Sequence, residues 1–217
     1  MDCKLIIGRL AKGLAVALVL AVLSALIFGK KSKEGSPVRL TSEETELIQN
    51  SDSVMRVLTM DCPEDSALLR AMSVDFSDKD LRSATYSTLA AKMVRTVTDP
   101  SQDGVGIAGP QVGLSRRIVA VMRYDKPDKP FEVYPNIRLD SLWGEITHGP
   151  EGCLSVPGKR GIVPRYSKVL VSYKDPETLR TVRDTVDGYT AIIFQHEVDH
   201  LQGVVYTDKA DSVFVRN

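Results

Sequence analysis

Gln195-His196-Glu197-Val198-Asp199-His200 is the stretch around which the rest of the chain has to be arranged. A helical turn takes about 3.6 residues, so His196 and His200 project from one face with Glu197 beside them. Two imidazoles on one face can hold a metal ion, and Glu197 is then placed to handle the proton of a bound water. The pattern fixes few positions and also occurs in unrelated helices as a pair of satisfied polar residues, so the remaining ligand decides. Only 3 histidines are present. The third, His148, has no second ligand at helical or hairpin spacing and is expected at the surface or in a hydrogen bond.

A better third ligand lies in Glu151-Gly152-Cys153-Leu154-Ser155-Val156-Pro157-Gly158. Cys153 is the one cysteine in a glycine-flanked, rigid loop. One thiolate with two imidazoles makes a soft tetrahedral site that keeps a fourth position open, which is a catalytic arrangement and not a closed structural one. The chain has 3 cysteines, Cys3, Cys62 and Cys153, at irregular spacing. That odd count argues against a disulfide framework, and Cys62 reads as a structural thiol.

Upstream, Gly104-Val105-Gly106-Ile107-Ala108-Gly109-Pro110-Gln111 lacks the third glycine of a dinucleotide loop, and Pro110 would interrupt the helix start that a pyrophosphate needs. Its glycines let backbone approach a ligand closely, and Gln111 supplies a neutral amide donor able to face a carbonyl oxygen. Taken alone, the stretch reads equally as a glycine-rich turn before a strand.

The elements between these motifs give an α+β fold of antiparallel sheets packed around a central metal-binding helix, preceded by an N-terminal hydrophobic helix. Val54–Leu58 is expected as a short strand. A helix should run from Ser77 or Asp78 to Thr98, with Leu81, Leu89, Met93 and Val97 on one side. Arg117–Tyr124, Phe131–Tyr134, Lys168–Lys174 and Leu179–Val186 read as strands with no helix between them, hence antiparallel. Tyr134 and Trp143 are expected in the core. Asp187 can cap the last helix, which carries Ala191-Ile192-Ile193-Phe194 into the core.

Composition bounds the rest. The chain has 217 residues, 43% of them hydrophobic, and Lys plus Arg and Asp plus Glu both number 28. This suits one globular domain and lacks the basic excess of a nucleic-acid binder. From Gly13 to Phe28 there is no charge, and with Gly29 the run would span about 25 Å as a helix, just enough for a thin bilayer. It reads as an uncleaved anchor, with a signal peptide as the alternative, because Leu26-Ile27-Phe28 stand where small residues would precede cleavage. Basic residues on its two sides nearly balance and leave the orientation open. The division expected is 1–29 hydrophobic anchor or signal, 30–53 polar linker in which SEETELIQ could form a turn or two of helix, and 54–217 catalytic domain. A start at Met55 would yield that last part alone.

Three motifs in one order, GVGIAGPQ, EGCLS and QHEVDH, resemble the peptide deformylases, and the similarity covers roughly residues 54–208. Gly109 stands where that family commonly has a second alanine, and the long terminal helix of some members is not expected in the residues after QHEVDH. The resemblance implies removal of the N-formyl group from the formyl-methionine of peptides or nascent chains. Cys153, His196 and His200 would bind one divalent metal, typically Fe2+, with Zn2+, Ni2+ or Co2+ able to replace it. A metal-bound hydroxide would attack the formyl carbon with Glu197 as general base and acid, while Gln111 and the Leu154 amide hold the oxyanion. Gly106, Gly152 and Arg160 match positions lining the peptide, and Ile192 with Ile193 matches the methionine pocket. Work near the ribosome on nascent chains would place the catalytic part on the cytoplasmic side of a membrane held through residues 13–29; an exported form would need another source of formylated peptides. A zinc endopeptidase usually takes its third ligand from beyond the helix, which Cys153 disfavours. A membrane-anchored binding module would have no reason to keep Glu197.

Overall fold

The computed structural model describes residues 37–102 and 104–215. Along the chain these form α1 (Ser42–Asn50), α2 (Pro63–Leu69), α3 (Asp78–Leu81), α4 (Ala84–Val97), β1 (Gly106–Ala108), a 3-10 turn at Gly109–Val112, and β2 (Ile118–Met122). There follow β3 (Phe131–Pro135), β4 (Arg138–Cys153), β5 (Val156–Lys174), β6 (Thr181–Asp187), α5 (Gly188–His200), a second 3-10 turn at Tyr206–Asp208, and β7 (Ser212–Val215). The α+β class with antiparallel sheets is as expected.

The first sheet, in the order β1-β2-β3, separates two cores. Its residues alternate between them: Ile118 and Ala120 join α4 and Ile107, whereas Val119 and Val121 join α5 through Phe194 and Val198. Burial on both faces explains why the Ile118–Val121 run is apolar throughout and not every second residue. The second sheet, β4-β5-β6 with β7 added to β5, packs one face on α5 through Val169, Val171 and Val186. A two-residue turn joins β4 to β5, with Cys153 paired to Val156, so the EGCLS stretch is the tip of a long hairpin.

Several expectations need correction. Val54–Leu58 is not a strand, because its backbone bonds go to unrelated partners: Met55 N–H to Thr96 Oγ1 (2.8 Å) and Leu58 N–H to Gln111 O (2.8 Å). The helix from 77 to 98 is broken at Arg82-Ser83, where Ser83 caps α4 by accepting from the Tyr86 amide (3.2 Å). Its inward residues are nonetheless the expected ones, since Leu81, Leu89, Met93 and Val97 are all buried. Trp143 is 37% exposed on the outer sheet face, while Tyr134 is buried. Asp187 occupies the N-cap position of α5 without a capping bond from its side chain.

Part of the stretch expected as a polar linker is built into the fold. Thr41 and Glu44 form a capping box at the start of α1, and Ile48 enters the core of α4. Arg116, buried, donates to both Glu44 oxygens (2.7 and 2.5 Å) and to the carbonyls of Val38 (2.6 Å) and Arg39 (2.8 Å), clamping this segment to the start of β2. No described helix is long and apolar enough to cross a membrane. Residues 13–29, where the anchor and the N-terminal hydrophobic helix are expected, lie outside the described residues.

Because Ile48 is fully buried, Ile48→Ala should cost about 2–5 kcal/mol in urea unfolding. A loss below about 0.5 kcal/mol, typical of an exposed site, would show that α1 is not part of the folded body.

Candidate active site

α5 runs through the middle of the molecule, and every residue from Ile193 to His200 is buried. Burying polar groups costs several kcal/mol each unless they are hydrogen-bonded, so their partners matter. Gln195 accepts from the Tyr166 amide (3.1 Å) and donates to the Tyr166 carbonyl (2.7 Å), fixing α5 to β5. His196 Nδ1 lies 2.8 Å from Glu151 Oε2. Asp199 accepts from Arg165 Nη1 (2.6 Å) and Lys209 Nζ (2.6 Å). Arg165 completes the set by donating from Nε (2.8 Å) and Nη2 (3.0 Å) to the two oxygens of Glu151.

Opposite this helix stands the hairpin tip. The ligand atoms of Cys153, His196 and His200 all lie within 4.8 Å of one another, and Cys153 Sγ is 3.2 Å from His200 Nε2. The glutamine comes from the 3-10 turn after β1. Its Oε1 accepts from the Ala108 amide (2.8 Å), which orients the NH2 toward Ser155 Oγ (3.3 Å) and Cys153 Sγ (3.5 Å). The Gln111 side chain is therefore held as a donor pointing at the site.

Charge balance favours cation binding. Burial would push the Cys153 thiol up, but the positive charge on His200 and hydrogen bonds from His196 and His200 outweigh it and bring the thiol to about 5. Burial would likewise lower His196, yet its bonds to Cys153 and Glu151 hold it well above the usual imidazole range. Burial also opposes ionisation of Glu151, and His196 with Arg165 overcomes it, leaving that carboxyl at about 2. A thiolate facing an imidazolium is a pair that a metal ion replaces with release of the imidazolium proton. Burial raises Glu197 to about 7, against the pull of the two histidine charges.

Glu197 Oε2 and His200 Nδ1 have no hydrogen-bond partner among the described residues. An unsatisfied buried carboxylate oxygen beside a thiolate and two imidazoles fits a centre completed by a metal ion and its water. The donor set of one sulfur and two nitrogens suits a borderline-soft divalent ion.

The site opens into a cavity of about 460 Å³ lined by Gly106, Gln111, Gly152, Cys153, Leu154, Arg160, Ile192, Ile193, His196 and Glu197, among others. The structure thus brings the expected site residues together, with His200 behind Cys153 and His196. Gly106 has a geometric reason: a Cβ there would lie 2.8 Å from Glu197 Cδ, so only glycine leaves that carboxylate in place. At Gly152 a Cβ would meet the Arg160 side chain at 3.8 Å and the Lys159 carbonyl at 3.9 Å, ordinary contacts that leave the position tolerant. His148 is exposed and 2.6 Å from Asp211, outside the Cys153–His196–His200 cluster, and so hydrogen-bonded at the surface as expected. Sequence reasoning missed the roles of Glu151, Arg165 and Lys209. Glu151 was visible inside its motif, but nothing in the spacing pointed to the other two.

The family model described as polypeptide deformylase matches residues 55–214. A curated peptide deformylase of Leptospira biflexa is 35% identical over 152 residues, covering 67% of this chain and 83% of the relative. One of Symbiobacterium thermophilum is 44% identical over 119 residues, covering 54% and 53%. Among solved structures, a class I type b peptide deformylase from Acinetobacter baumannii with Met-Ala-Ser bound superposes with a TM-score of 0.62 at 34% identity, covering 72% of this chain and 98% of that one. The actinonin-bound form gives 0.63 at 32% identity, covering 73% and 99%.

Because Glu151 fixes the outer nitrogen of His196, Glu151→Gln should weaken metal binding by about 10- to 100-fold. Titration of the apo-protein with Zn2+ against a competing chelator measures this, and unchanged affinity would deny Glu151 that role.

Proposed function

The chain belongs to the polypeptide deformylase family, and on that footing we propose how its own residues divide the work of metal-dependent removal of the N-formyl group from formyl-methionyl peptides. Cys153, His196 and His200 hold the metal ion, which when bound supplies the acidity that makes a water nucleophilic near neutral pH. The observation that carries this reading is the convergence of these three donors with the unpaired Glu197 carboxylate in one cavity.

Glu197 takes the proton of the attacking water and delivers it to the departing amine; its pKa of about 7 suits both directions. Its neighbour Gly106 keeps that carboxylate free to move a proton by leaving room where a side chain would press on it. Gln111 Nε2, pre-aimed by the Ala108 amide, and the Leu154 backbone N–H receive the negative charge that develops on the formyl oxygen. Ile192 and Ile193 offer apolar walls to the methionine side chain, with Gly106, Gly152 and Arg160 along the peptide backbone; support comes from their shared position on the cavity wall.

The ion we propose is Fe2+, as the likeness to the deformylase family implies, with Zn2+, Ni2+ or Co2+ able to substitute at one thiolate and two imidazoles. We further propose that residues 13–29 anchor the catalytic part to a membrane on the cytoplasmic side, near the ribosomes that supply formylated nascent chains. The uncharged run between Lys12 and Lys30-Lys31 supports this. A reporter fused after Asn217 tests the sidedness, and an extracytoplasmic signal would refute it.

For the chemistry, formate release from formyl-Met-Ala-Ser is the assay. Glu197→Ala, folded and metal-loaded, should lose about 10²- to 10⁴-fold in rate, and Gln111→Leu about 10²- to 10³-fold in kcat. Full activity in the Glu197 variant, or cleavage of an internal peptide bond by the parent, would contradict the assignment. Iron-loaded protein should lose activity during aerobic handling while nickel-loaded protein keeps it, and equal lability of both would count against iron.

A further inference from the structure

We infer that Lys209 is a positioning residue for the metal ligand His196, acting through Asp199, Arg165 and Glu151. The role rests on the metal site described above and extends it to a side chain on the far side of α5.

The four links are continuous. Lys209 Nζ donates to Asp199 Oδ1 (2.6 Å), and Asp199 Oδ2 accepts from Arg165 Nη1 (2.6 Å). Arg165 spends Nε and Nη2 on Glu151 (2.8 and 3.0 Å), and Glu151 Oε2 faces His196 Nδ1 at 2.8 Å. Lys209 is the only member with substantial solvent exposure, its side chain 44% exposed against 3% for Arg165 and 9% for Asp199. The buried members alone form two carboxylates around one guanidinium. Lys209 supplies the second cation.

Its removal would leave Asp199 Oδ1 without a donor among the described residues. The Arg165 guanidinium, which already reaches Asp199 through Nη1, has a second N–H on Nη2 for the other oxygen, and swinging toward Asp199 to use it would tilt its fork on Glu151. Glu151 would then hold the His196 ring less firmly, and a ligand that is less well oriented binds metal less tightly.

A purely structural role for Lys209 fits less well, because its segment is held by other bonds. Asp208 pairs with Arg70 and accepts from the Val205 amide (3.0 Å), and the Lys209 amide donates to the Tyr206 carbonyl (3.0 Å). Tyr206 in turn stacks near His196, its ring centroid 6.1 Å away. The lysine ammonium is therefore free to serve Asp199 without being needed to place the turn.

The test uses the full chain in metal-free form, titrated with Co2+ alone and read by visible d–d absorption against a competing chelator. Lys209→Met should weaken Co2+ binding by about three- to tenfold, less than the loss of a direct partner of the ligand. Lys209→Arg should bind within about twofold of the parent, as should Lys174→Met, which removes an ion pair with Asp78 elsewhere on the surface. In a Glu151→Gln background Lys209→Met should have no further effect, because the chain is already cut there. Lys209→Gln is read in the same way should the methionine variant fold poorly. Affinity of Lys209→Met within twofold of the parent overturns the inference, as does a loss of equal size in the Glu151→Gln background. A parent chain that takes up no Co2+ would overturn the metal site itself, and this role with it.

Discussion

The buried guanidinium of Arg165 is the constraint on which the rest depends. It sits between Glu151 on the hairpin and Asp199 on α5, touching both with its donors. The hairpin carries Cys153 and the helix carries both histidines, so this side chain, together with the Gln195–Tyr166 bonds, holds together the two elements that supply the Cys153–His196–His200 cluster. Two buried carboxylates would repel each other without it, and breaking such a cluster costs about 3–5 kcal/mol because a charge is left uncompensated. The same bonds orient His196, so the interaction that closes the fold also sets that imidazole.

Around that centre the architecture separates fixed parts from working ones. Gln195 ties α5 to the backbone of β5, and the first sheet presses Val119 and Val121 on the other side of the helix. Nearly every polar group on α5 is thereby committed to structure. The buried exceptions on α5 among the described residues are Glu197 Oε2 and His200 Nδ1 at the site, and Thr190 Oγ1 in the first turn. Burial without a partner raises Glu197 into the range where it can both accept and return a proton near neutrality. Its neighbour His196, one residue earlier, is fully bonded and strongly basic. Adjacent residues on one helix thus have different chemistry because they face different elements.

What the sequence made legible follows from distance along the chain. His196, Glu197 and His200 lie within one and a half helical turns, so their spacing alone placed them together, and the glycines around Cys153 marked a tight tip. Arg165 was invisible for the opposite reason: its partners lie 14 and 34 residues away, and no periodicity encodes a contact between strand and helix at that range. The Arg138–Cys153 strand escaped because its middle is exposed on the outer face and its register is interrupted by bulges. Ser83 stops one helix and caps the next within a run whose apolar spacing reads as continuous. In α1 a single buried residue, Ile48, anchors an otherwise polar helix, although Thr41 and Glu44 already spelled a capping box.

X-ray absorption on the zinc-loaded chain tests the central claim most directly, since it reads the ligands by element without reference to activity. The arrangement of Cys153, His196 and His200 predicts one sulfur at about 2.3 Å and two imidazole nitrogens at about 2.0–2.1 Å, with the sulfur lost in Cys153→Ser. A first shell of nitrogen and oxygen alone in the parent protein would contradict it.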